Sequence, residues 1–568
     1  MKRFEKFIKS ILENRAKKKI VLIATAVLFL LSLLMFPTKI VLAKMLPGKS
    51  DNTFSIYIDA PAGSSVVQTK EVATCAMDIL QEESQILHME LFLAHGIPLD
   101  YAGLVKGSGM KQTQNVAEIS VNLTDKKTRK EPSYLMVQRL RPIVQEACEG
   151  IVDGTSIKFV EQPAGPPTMA SVVVEVHGQD NAKISQIALQ VASILSDTKG
   201  LVDVDILGDK IYQKYSLELD KERAARSGLD VAQVNQMLYL AFEGMVVGYK
   251  NTPDSTDQIP IFLVLDSDSK SLHSSSKEAL YTKLSSLEMM NQSGMLVPLS
   301  QLVTIKEVDS SPIIMHKNLS RMANVIAETD MVSQVYPLLD ARAQMIEYFS
   351  DDYVVTKEPG MSTYMFDLHL EDKKTGEKFL LRWDGEMKVT LDTFRDLGGA
   401  FIAALVLIFL LLVVYYKSFV LSGTVLLGSF LSIIGVIFGH LVADIVTRDT
   451  FFLTATSLIG FIALMGISSR NSLLLIDFAK SLMIDHGIEK KQAIAIASAT
   501  RAKPIALTAI AIILGSTLLA GDPIFGGLGV ALISGTVAAV FVSLLFVPIL
   551  MDNSKAMDFT PIKNDRSN

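Results

Sequence analysis

The sequence predicts a polytopic α-helical membrane protein with six transmembrane helices and a large α+β region outside the membrane. Three observations favour this class. Apolar residues make up 49% of the 568 residues against 20% charged residues, which is typical of a membrane protein or a large buried core. Six stretches are long and apolar enough to cross a bilayer, which takes roughly 20 helical residues. A long acidic segment with mixed strand-like and helix-like patterns separates the first stretch from the other five.

The six predicted spans form one leading helix and a group of five. They cover residues 20–36, 397–416, 419–442, 451–479, 504–519 and 527–549. The first is short and follows basic residues, so a cleavable signal peptide is the alternative, although no small-residue cleavage site precedes Pro37. The predicted parts of the chain are a basic segment 1–19, a first span 20–36, an exterior region 37–396, a five-helix bundle 397–550 and a tail 551–568.

The distribution of charge predicts the orientation. Residues 1–36 carry eight Lys and Arg against two Glu, a net charge of +6, and residues 397–568 carry +2. Subtracting both from the total of −6 leaves −14 for residues 37–396. Because short basic loops stay in the cytoplasm, we expect a membrane protein with cytoplasmic termini and with region 37–396 on the opposite side of the membrane. The same segregation indicates a membrane rather than nucleic acid as partner.

The exterior region alternates short strand-like runs with runs of helical spacing. The strand-like runs are 54–60, 115–123, 171–176, 202–206 and 215–219, and the helical runs are 65–80, 133–148, 182–195 and 230–241. This alternation predicts α+β subdomains in which helices cover one face of a sheet. Cys75 and Cys148 both fall in this region. An oxidising compartment would allow a disulfide between them, but two separate buried thiols fit the sequence equally well.

Charged and polar residues interrupt the apolar pattern of the fourth and fifth spans. Arg470 and Asp477 are seven residues apart, about two helical turns, so both project from nearly one face. The fifth helix is expected to begin at Arg501 and carries Thr508 seven residues later. Because the two helices run in opposite directions, Asp477 is expected level with Arg501, and Arg470 level with Thr508 deeper in the membrane. Such a set suits a proton or ion pathway; the alternative for Asp477 and Arg501 is a plain structural pair at the headgroup level.

Other residue types give no sign of catalytic chemistry. The eight His are scattered without a His-Glu-x-x-His motif, and no phosphate-binding loop is present. We therefore expect neither an enzyme nor a bound cofactor or metal. The glycines of the spans are expected to allow close helix packing; they are Gly466, Gly515, Gly526, Gly527, Gly529 and Gly535.

Several segments follow one another in an order typical of one transporter family. The membrane segments are GISSRNSLLLIDFAKSLMIDHG, RAKPIALTAIAIILG and GGLGVALISGTVAAVFVSLLFVPIL, and the exterior segments include LDKERAARSGLDVAQVNQML and VPLSQLVTI. With these motifs the chain resembles the resistance–nodulation–division permeases of the acriflavine-resistance (hydrophobe/amphiphile efflux) type. A full member has two repeats, each with one helix, a periplasmic region and five helices. This chain is similar to the second repeat alone, which implies half of a split proton-driven efflux permease.

The resemblance implies that the polar residues of the spans belong to a proton relay. Arg470 stands where many members have Lys, beside the shared Asn471. Arg501 and Thr508 match the family's relay Arg and Thr, and Asp477 matches an acidic position of its helix. The family's paired aspartates lie in the first repeat, so a partner chain would supply them. Arg470 would act as a fixed charge because a guanidinium hardly releases its proton.

The resemblance also implies the exterior layout and the substrate cleft. It implies two porter subdomains with part of a docking domain inserted in the second. The segment YAGLVKGSGM at 101–110 resembles the mobile loop between the substrate pockets, with Tyr101, Leu104 and Met110 as candidate cleft residues. The alternative for this segment is an ordinary exposed loop. The 24 Met show no cluster of soft metal ligands, so amphiphilic organic substrates are favoured over copper or silver.

The implied partners are those of the family. They are a chain bearing the first repeat, a periplasmic adaptor and an outer-membrane channel, with three such pairs forming a trimer in the lipid bilayer. Two alternatives stay open. One is a non-transporting membrane scaffold or sensor that retains the fold, and the other is a self-associating permease for lipid-like substrates.

Overall fold

Two helices joined at Asn14 form the N-terminal part of the protein. The structure, a computed structural model, describes residues 2–45, 50–98, 101–126, 128–161, 168–208, 211–253, 256–266, 276–311, 313–330, 333, 335–358, 364–447, 451–522 and 524–559. Helix α1 spans Lys2–Glu13 and helix α2 spans Arg15–Leu34. The Asn14 side chain accepts a hydrogen bond from the N–H of Ala16 at 2.9 Å. This bond caps α2, because it satisfies a donor that the first helical turn leaves unpaired.

The first exterior subdomain is a four-stranded antiparallel sheet covered by two helices. Its elements are β1 (Thr53–Asp59), α3 (Val66–Gln81), β2 (Ile86–Leu93), α4 (Tyr101–Lys106), β3 (Val116–Leu123), α5 (Ser133–Cys148) and β4 (Ser156–Glu161). The strand order is β2-β3-β1-β4, and α3 and α5 pack on one face over a single apolar core. A disulfide joins Cys75 of α3 to Cys148 of α5, with the two Cα atoms 5.9 Å apart. The structure therefore answers the question that the sequence left open.

The second subdomain begins with three elements and is interrupted by a separate compact unit, residues 209–313. The three elements are β5 (Val172–Gly178), α6 (Asn181–Asp197) and β6 (Leu201–Leu207). The compact unit contains β7 (Gln213–Leu219), α7 (Lys221–Arg226), α8 (Val231–Phe242), β8 (Met245–Lys250), β9 (Ile259–Leu263), α9 (Lys277–Ser286), β10 (Glu288–Met290), β11 (Leu296–Pro298) and β12 (Val303–Asp309). Strands β7 and β12 pair antiparallel, and the unit has its own core around Val234, Leu284 and Leu299.

The chain then completes the sheet of the second subdomain. The added elements are β13 (Met315–Lys317), β14 (Ser320–Thr329), α10 (Val335–Phe349), β15 (Tyr353–Lys357), β16 (Leu368–Asp372) and β17 (Lys378–Asp384). The strand order is β13-β14-β5-β17-β16-β15, with β6 also paired to β14. Helices α6 and α10 share a buried core with β5 and with Trp383, the only tryptophan of the chain. The strand and helix patterns of the exterior sequence are therefore found as α+β subdomains.

In the described part of the chain, seven α-helices follow the exterior region. They are α11 (Glu386–Tyr416), α12 (Phe419–Phe430), α13 (Ile433–Thr447), α14 (Ala455–His486), α15 (Lys490–Ala520), α16 (Gly526–Phe541) and α17 (Val547–Asn553). Within the described part of the chain, five helical stretches are long and apolar enough to cross a membrane: Glu386–Tyr416, Phe419–Thr447, Ala455–His486, Lys490–Ala520 and Gly526–Asn553. The predicted first span corresponds to the apolar part of α2 and is not among these five. The count of six therefore stays a prediction.

Two helix starts differ from the prediction. Helix α15 begins at Lys490, eleven residues before Arg501, so the expectation that it begins at Arg501 was wrong. Its first part is rich in Ala and contains Lys, Gln and Arg, which are all good helix formers. Helix α11 likewise begins at Glu386 rather than at residue 397. In both cases the helix extends beyond its apolar stretch, and hydropathy alone detects only the apolar part.

Glycines allow close contacts inside the bundle. A Cβ atom at Gly529 would lie 2.4 Å from the backbone N of Ala520, and one at Gly535 would lie 2.2 Å from Leu464 Cδ2. By contrast, a Cβ atom at Gly466 or Gly515 would have no neighbour within 4 Å among the described atoms. The expectation of close packing therefore fits the glycines of α16, while Gly466 and Gly515 lie on open helix faces.

Candidate functional site

Helices α14 and α15 are uninterrupted and carry all five candidate relay residues. Residues 470 and 477 of α14 differ in position along the helix axis by about 10.5 Å, and so do residues 501 and 508 of α15. Within each helix, the two polar residues therefore have the axial spacing that the sequence predicts.

Arg470 lies on an exposed face of α14. Among the described residues, none forms a hydrogen bond or an ion pair with its guanidinium group. The neighbouring Asn471 is 7% exposed and faces the interior of the bundle. Arg470 is thus a cation on an apolar helix without a counter-charge in the described part of this chain.

Asp477 is bound by a tyrosine of α11. The Tyr415 hydroxyl donates a hydrogen bond to Asp477 Oδ2 at 2.8 Å, and the Tyr416 hydroxyl donates to the backbone carbonyl of Leu473 at 3.2 Å. Neither tyrosine was predicted from the sequence as part of the site. The available signal was the pair of aromatic hydroxyls at the end of α11, the end predicted to face the cytoplasm.

Arg501 is half-buried beside the aromatic ring of Phe478. Its guanidinium carbon lies 5.2 Å from the ring centroid, a distance suited to a cation–π contact. Its Nε atom is buried and has no hydrogen-bond acceptor among the described residues. Phe478 follows Asp477 in α14, so Arg501 lies near the expected level. An ion pair between Asp477 and Arg501 within 4.0 Å is not found in the described structure, so the plain structural pair considered above is absent.

Thr508 is exposed, and its hydroxyl bonds to its own helix. Its Oγ1 donates to the backbone carbonyl of Ile505 at 2.9 Å and lies 3.1 Å from that of Pro504. Within the described chain no hydrogen bond joins it to Arg470. Arg470 and Thr508 therefore both present side chains to the outside of the bundle instead of to each other.

The predicted cleft loop forms a short helix and a turn. Helix α4 covers its first part, and Leu104 is 62% exposed; the side chains of Tyr101 and Met110 lie outside the described part of the structure. The base of the loop is held by Glu118, whose Oε2 accepts hydrogen bonds from Ser108 Oγ at 2.6 Å and from the N–H of Ile97 at 2.8 Å. A cavity of about 430 Å³ lies beside the loop; among its lining residues are Phe92, His95, Ile97, Ser108, Lys111 and Gln112.

Ion pairs join the two subdomains next to this loop. Lys106 Nζ of α4 lies 2.8 Å from Glu328 Oε1 of β14. Arg141 Nε of α5 lies 3.1 Å from Asp203 Oδ2 of β6. Lys158 of β4 lies 2.7 Å from Asp59 Oδ2 and also pairs with Asp205 of β6. Charged contacts thus fix the first subdomain against the second.

Glu161 stands at the end of β4 beside these pairs and is itself unpaired among the described residues. Its Oε1 atom is buried and has no hydrogen-bond partner in that part of the chain. Burial raises the pKa of the Glu161 carboxyl to about 7, while the charges of Arg141 and Lys44 act in the opposite direction and that of Glu328 raises it further. A carboxyl whose pKa is shifted this far changes its charge near neutral pH.

The architecture is that of solved efflux transporters. The crystal structure of a heavy metal efflux pump superimposes with a TM-score of 0.71 at 19% sequence identity, over 97% of this chain and 51% of that chain. At this identity the likeness shows the fold alone.

A family model described as the AcrB/AcrD/AcrF family matches residues 1–348 and 368–552. The chain belongs to this family of resistance–nodulation–division permeases. It is 23% identical over 518 residues to the multidrug export protein AcrF of Escherichia coli K12, covering 89% of this chain and 45% of that protein. It is 24% identical over 389 residues to the swarming motility protein SwrC of Bacillus subtilis 168, covering 66% and 32%. The chain thus matches less than half the length of either relative.

Proposed function

We propose that this chain is the second-repeat half of a proton-driven efflux permease and works with a partner chain that carries the first repeat. The observation that supports this most directly is Arg470, which is exposed and has no counter-charge in the described chain. An Arg near the centre of a bilayer costs at least about 2.5–3.5 kcal/mol. A carboxylate from a second polypeptide would offset that cost.

The burial of the bundle helices supports the same conclusion. The most apolar parts of Glu386–Tyr416 and Lys490–Ala520 are only 6% and 17% buried, whereas those of the other three spans are 50% or more buried. Helix α15 carries two of the candidate relay residues, Arg501 and Thr508, and is one of the two poorly buried helices. The membrane helices of the partner would cover this exposed helix, including the partner helix that bears acidic residues.

The proposed mechanism assigns different tasks to the two chains. Arg470 keeps its charge, because a guanidinium does not titrate in the physiological range. The partner's carboxylates therefore carry the proton, and Arg470 stabilises their ionised form. Arg501, Asn471, Asp477 and Thr508 are assigned to the polar surroundings of that exchange. Proton entry changes the relative stability of the conformers of the exterior subdomains, which couples it to substrate movement.

The proposed substrates are small amphiphilic or hydrophobic compounds, taken up in the periplasm near the 101–110 loop. The proposed setting is the bacterial inner membrane, with cytoplasmic termini and residues 37–396 in the periplasm. A periplasmic adaptor, an outer-membrane channel and a trimer of paired chains complete the proposed assembly. The names of the relatives, which include a multidrug export protein and a toluene efflux pump, support efflux of organic compounds.

The first experiment is purification of a tagged copy from its native membrane, followed by identification of the retained chains. We expect a first-repeat-like chain with paired membrane aspartates in equal amount. Retention of a second copy alone would support the self-associating permease instead. Retention of no transporter chain, with unchanged drug tolerance after deletion, would support the scaffold or sensor.

A further inference from the structure

Helix α1 is amphipathic, and its apolar face is bound to the rest of the chain. Ile8, Ile11 and Leu12 are 1%, 6% and 1% exposed, and they share a buried cluster with residues of α15 and α17. A polar contact of α1 and another of the first turn of α2 hold this region in place. Gln492 Nε2 donates to Glu5 Oε1 at 2.8 Å, and Lys18 of α2 forms an ion pair with Asp552. The helix is therefore a fixed part of the bundle and not a free tail.

The opposite face of α1 is cationic. Lys2, Arg3 and Lys6 are exposed, and none of them has an ion pair or hydrogen bond within the described residues. Lys9 is paired with Glu13 at 3.9 Å. Glu5 is hydrogen-bonded to Gln492 and not ion-paired with the three cations, and the four basic against two acidic residues of α1 leave a net charge of +2.

The first membrane span predicted from the sequence puts α1 at the edge of the membrane. Only Asn14 separates α1 from α2, and the apolar part of α2 begins at residue 20 after three consecutive lysines. Phe7 of α1 is 52% exposed, although it lies beside the cationic face. A fixed helix with free Lys and Arg and an exposed aromatic ring at the bilayer edge has the chemistry of an interfacial lipid-binding helix.

We propose that α1 is a docking surface for anionic phospholipids. Lys2, Arg3 and Lys6 bind the phosphate groups, and Phe7 inserts at the boundary between headgroups and acyl chains. Each basic residue near an anionic membrane surface raises the affinity for that surface by about fivefold. The three together therefore raise it on the order of 100-fold at low salt. The bound lipid fixes the end of the bundle where α1, α15 and α17 meet. The proposal does not depend on a partner chain or on transport.

The test measures which lipids the purified full chain retains. The chain is equilibrated with equal amounts of phosphatidylglycerol and phosphatidylethanolamine in mixed micelles, and native mass spectrometry counts the bound lipids of each kind. We expect wild-type protein to prefer phosphatidylglycerol by about tenfold or more at low salt. We expect this preference to fall as sodium chloride is raised, because salt screens surface charge. A wild-type chain without any preference would overturn the proposal whatever the variants do.

Matched variants assign the preference to α1. The triple variant Lys2→Gln, Arg3→Gln, Lys6→Gln should bring the ratio of the two lipids close to one, whereas Lys2→Arg, Lys6→Arg should keep it. The control removes the same three charges from exposed exterior positions, namely Lys126→Gln, Lys130→Gln and Lys374→Gln. It should leave the ratio unchanged. Undiminished preference in the α1 triple variant, or equal loss in the control, would contradict the assignment.

Discussion

Replacement of Glu161 by Gln should stabilise the exterior region much more at pH 8 than at pH 5. The pKa of this carboxyl is about 7 in the folded chain, against an ordinary value of 4.5. Folding therefore favours the protonated form. The stability associated with this proton is fully present below pH 4.5 and is lost as the pH rises through 7. A difference of this size corresponds to about 3 kcal/mol in the free energy of unfolding.

The amide that Glu161→Gln introduces cannot ionise, so the variant should keep that stability at every pH. At pH 8 its free energy of unfolding should exceed that of wild type by up to about 3 kcal/mol, and at pH 5 by less than about 1 kcal/mol. Urea unfolding of the full chain in detergent provides the assay. Pulse proteolysis with the cut sites mapped by mass spectrometry reports on the first subdomain, and the fluorescence of Trp383, which is 3% exposed, reports on the second.

The matched control is Glu146→Gln, which removes an exposed carboxylate of helix α5. It should leave the difference between pH 5 and pH 8 unchanged. The reasoning would be refuted if Glu161→Gln were no more stable than wild type at pH 8. An equal gain at both pH values would also refute it, because the effect would then come from packing and not from a titrating carboxyl.

The remaining predictions concern the membrane helices. Arg470→Ala should lower export by at least about tenfold in a drug-accumulation assay while the chain still assembles with the proposed partner; normal export would remove Arg470 from the mechanism. Arg501→Ala should impair export much more than Lys503→Ala, because Arg501 is half-buried and Lys503 exposed; equal effects would indicate a role of surface charge alone. Gly535→Leu should destabilise the bundle by about 1–3 kcal/mol through overpacking, measured as thermal unfolding of the full chain in detergent, whereas Gly515→Leu should not. Equal destabilisation by the two would contradict the open face at Gly515.

The sequence predicted those features that depend on residues close together in the chain. The alternation in 54–60 and 115–123 became strands β1 and β3, because successive side chains of a strand point to opposite faces of its sheet. Apolar length likewise located the five spans of the bundle. The start of α15 was missed because Lys490, Lys491 and Arg501 lower the hydropathy of its first part. That part is helical because it is made of good helix formers and not because it is apolar.

Contacts between distant parts of the chain could not be predicted. The bond from Tyr415 to Asp477 links residues 62 positions apart, and the Lys106–Glu328 pair links residues 222 positions apart. The spacing of neighbouring residues in the sequence does not indicate contacts between residues so far apart. The same holds for the disulfide, since two cysteines 73 residues apart gave no sign of whether their helices meet. For the relay, the sequence indicated the residues and their spacing. The exposure of Arg470 could be seen only in the packed bundle.

The need for a partner chain can be tested most directly with the purified chain alone. It is reconstituted into proteoliposomes that contain a pH-sensitive dye, and a pH gradient is imposed. We expect no substrate-dependent loss of the gradient from this chain by itself, and a clear loss when the co-purified first-repeat chain is added. Substrate-dependent proton flow through a verified single species would contradict the account, since the described chain offers Arg470 no carboxylate of its own.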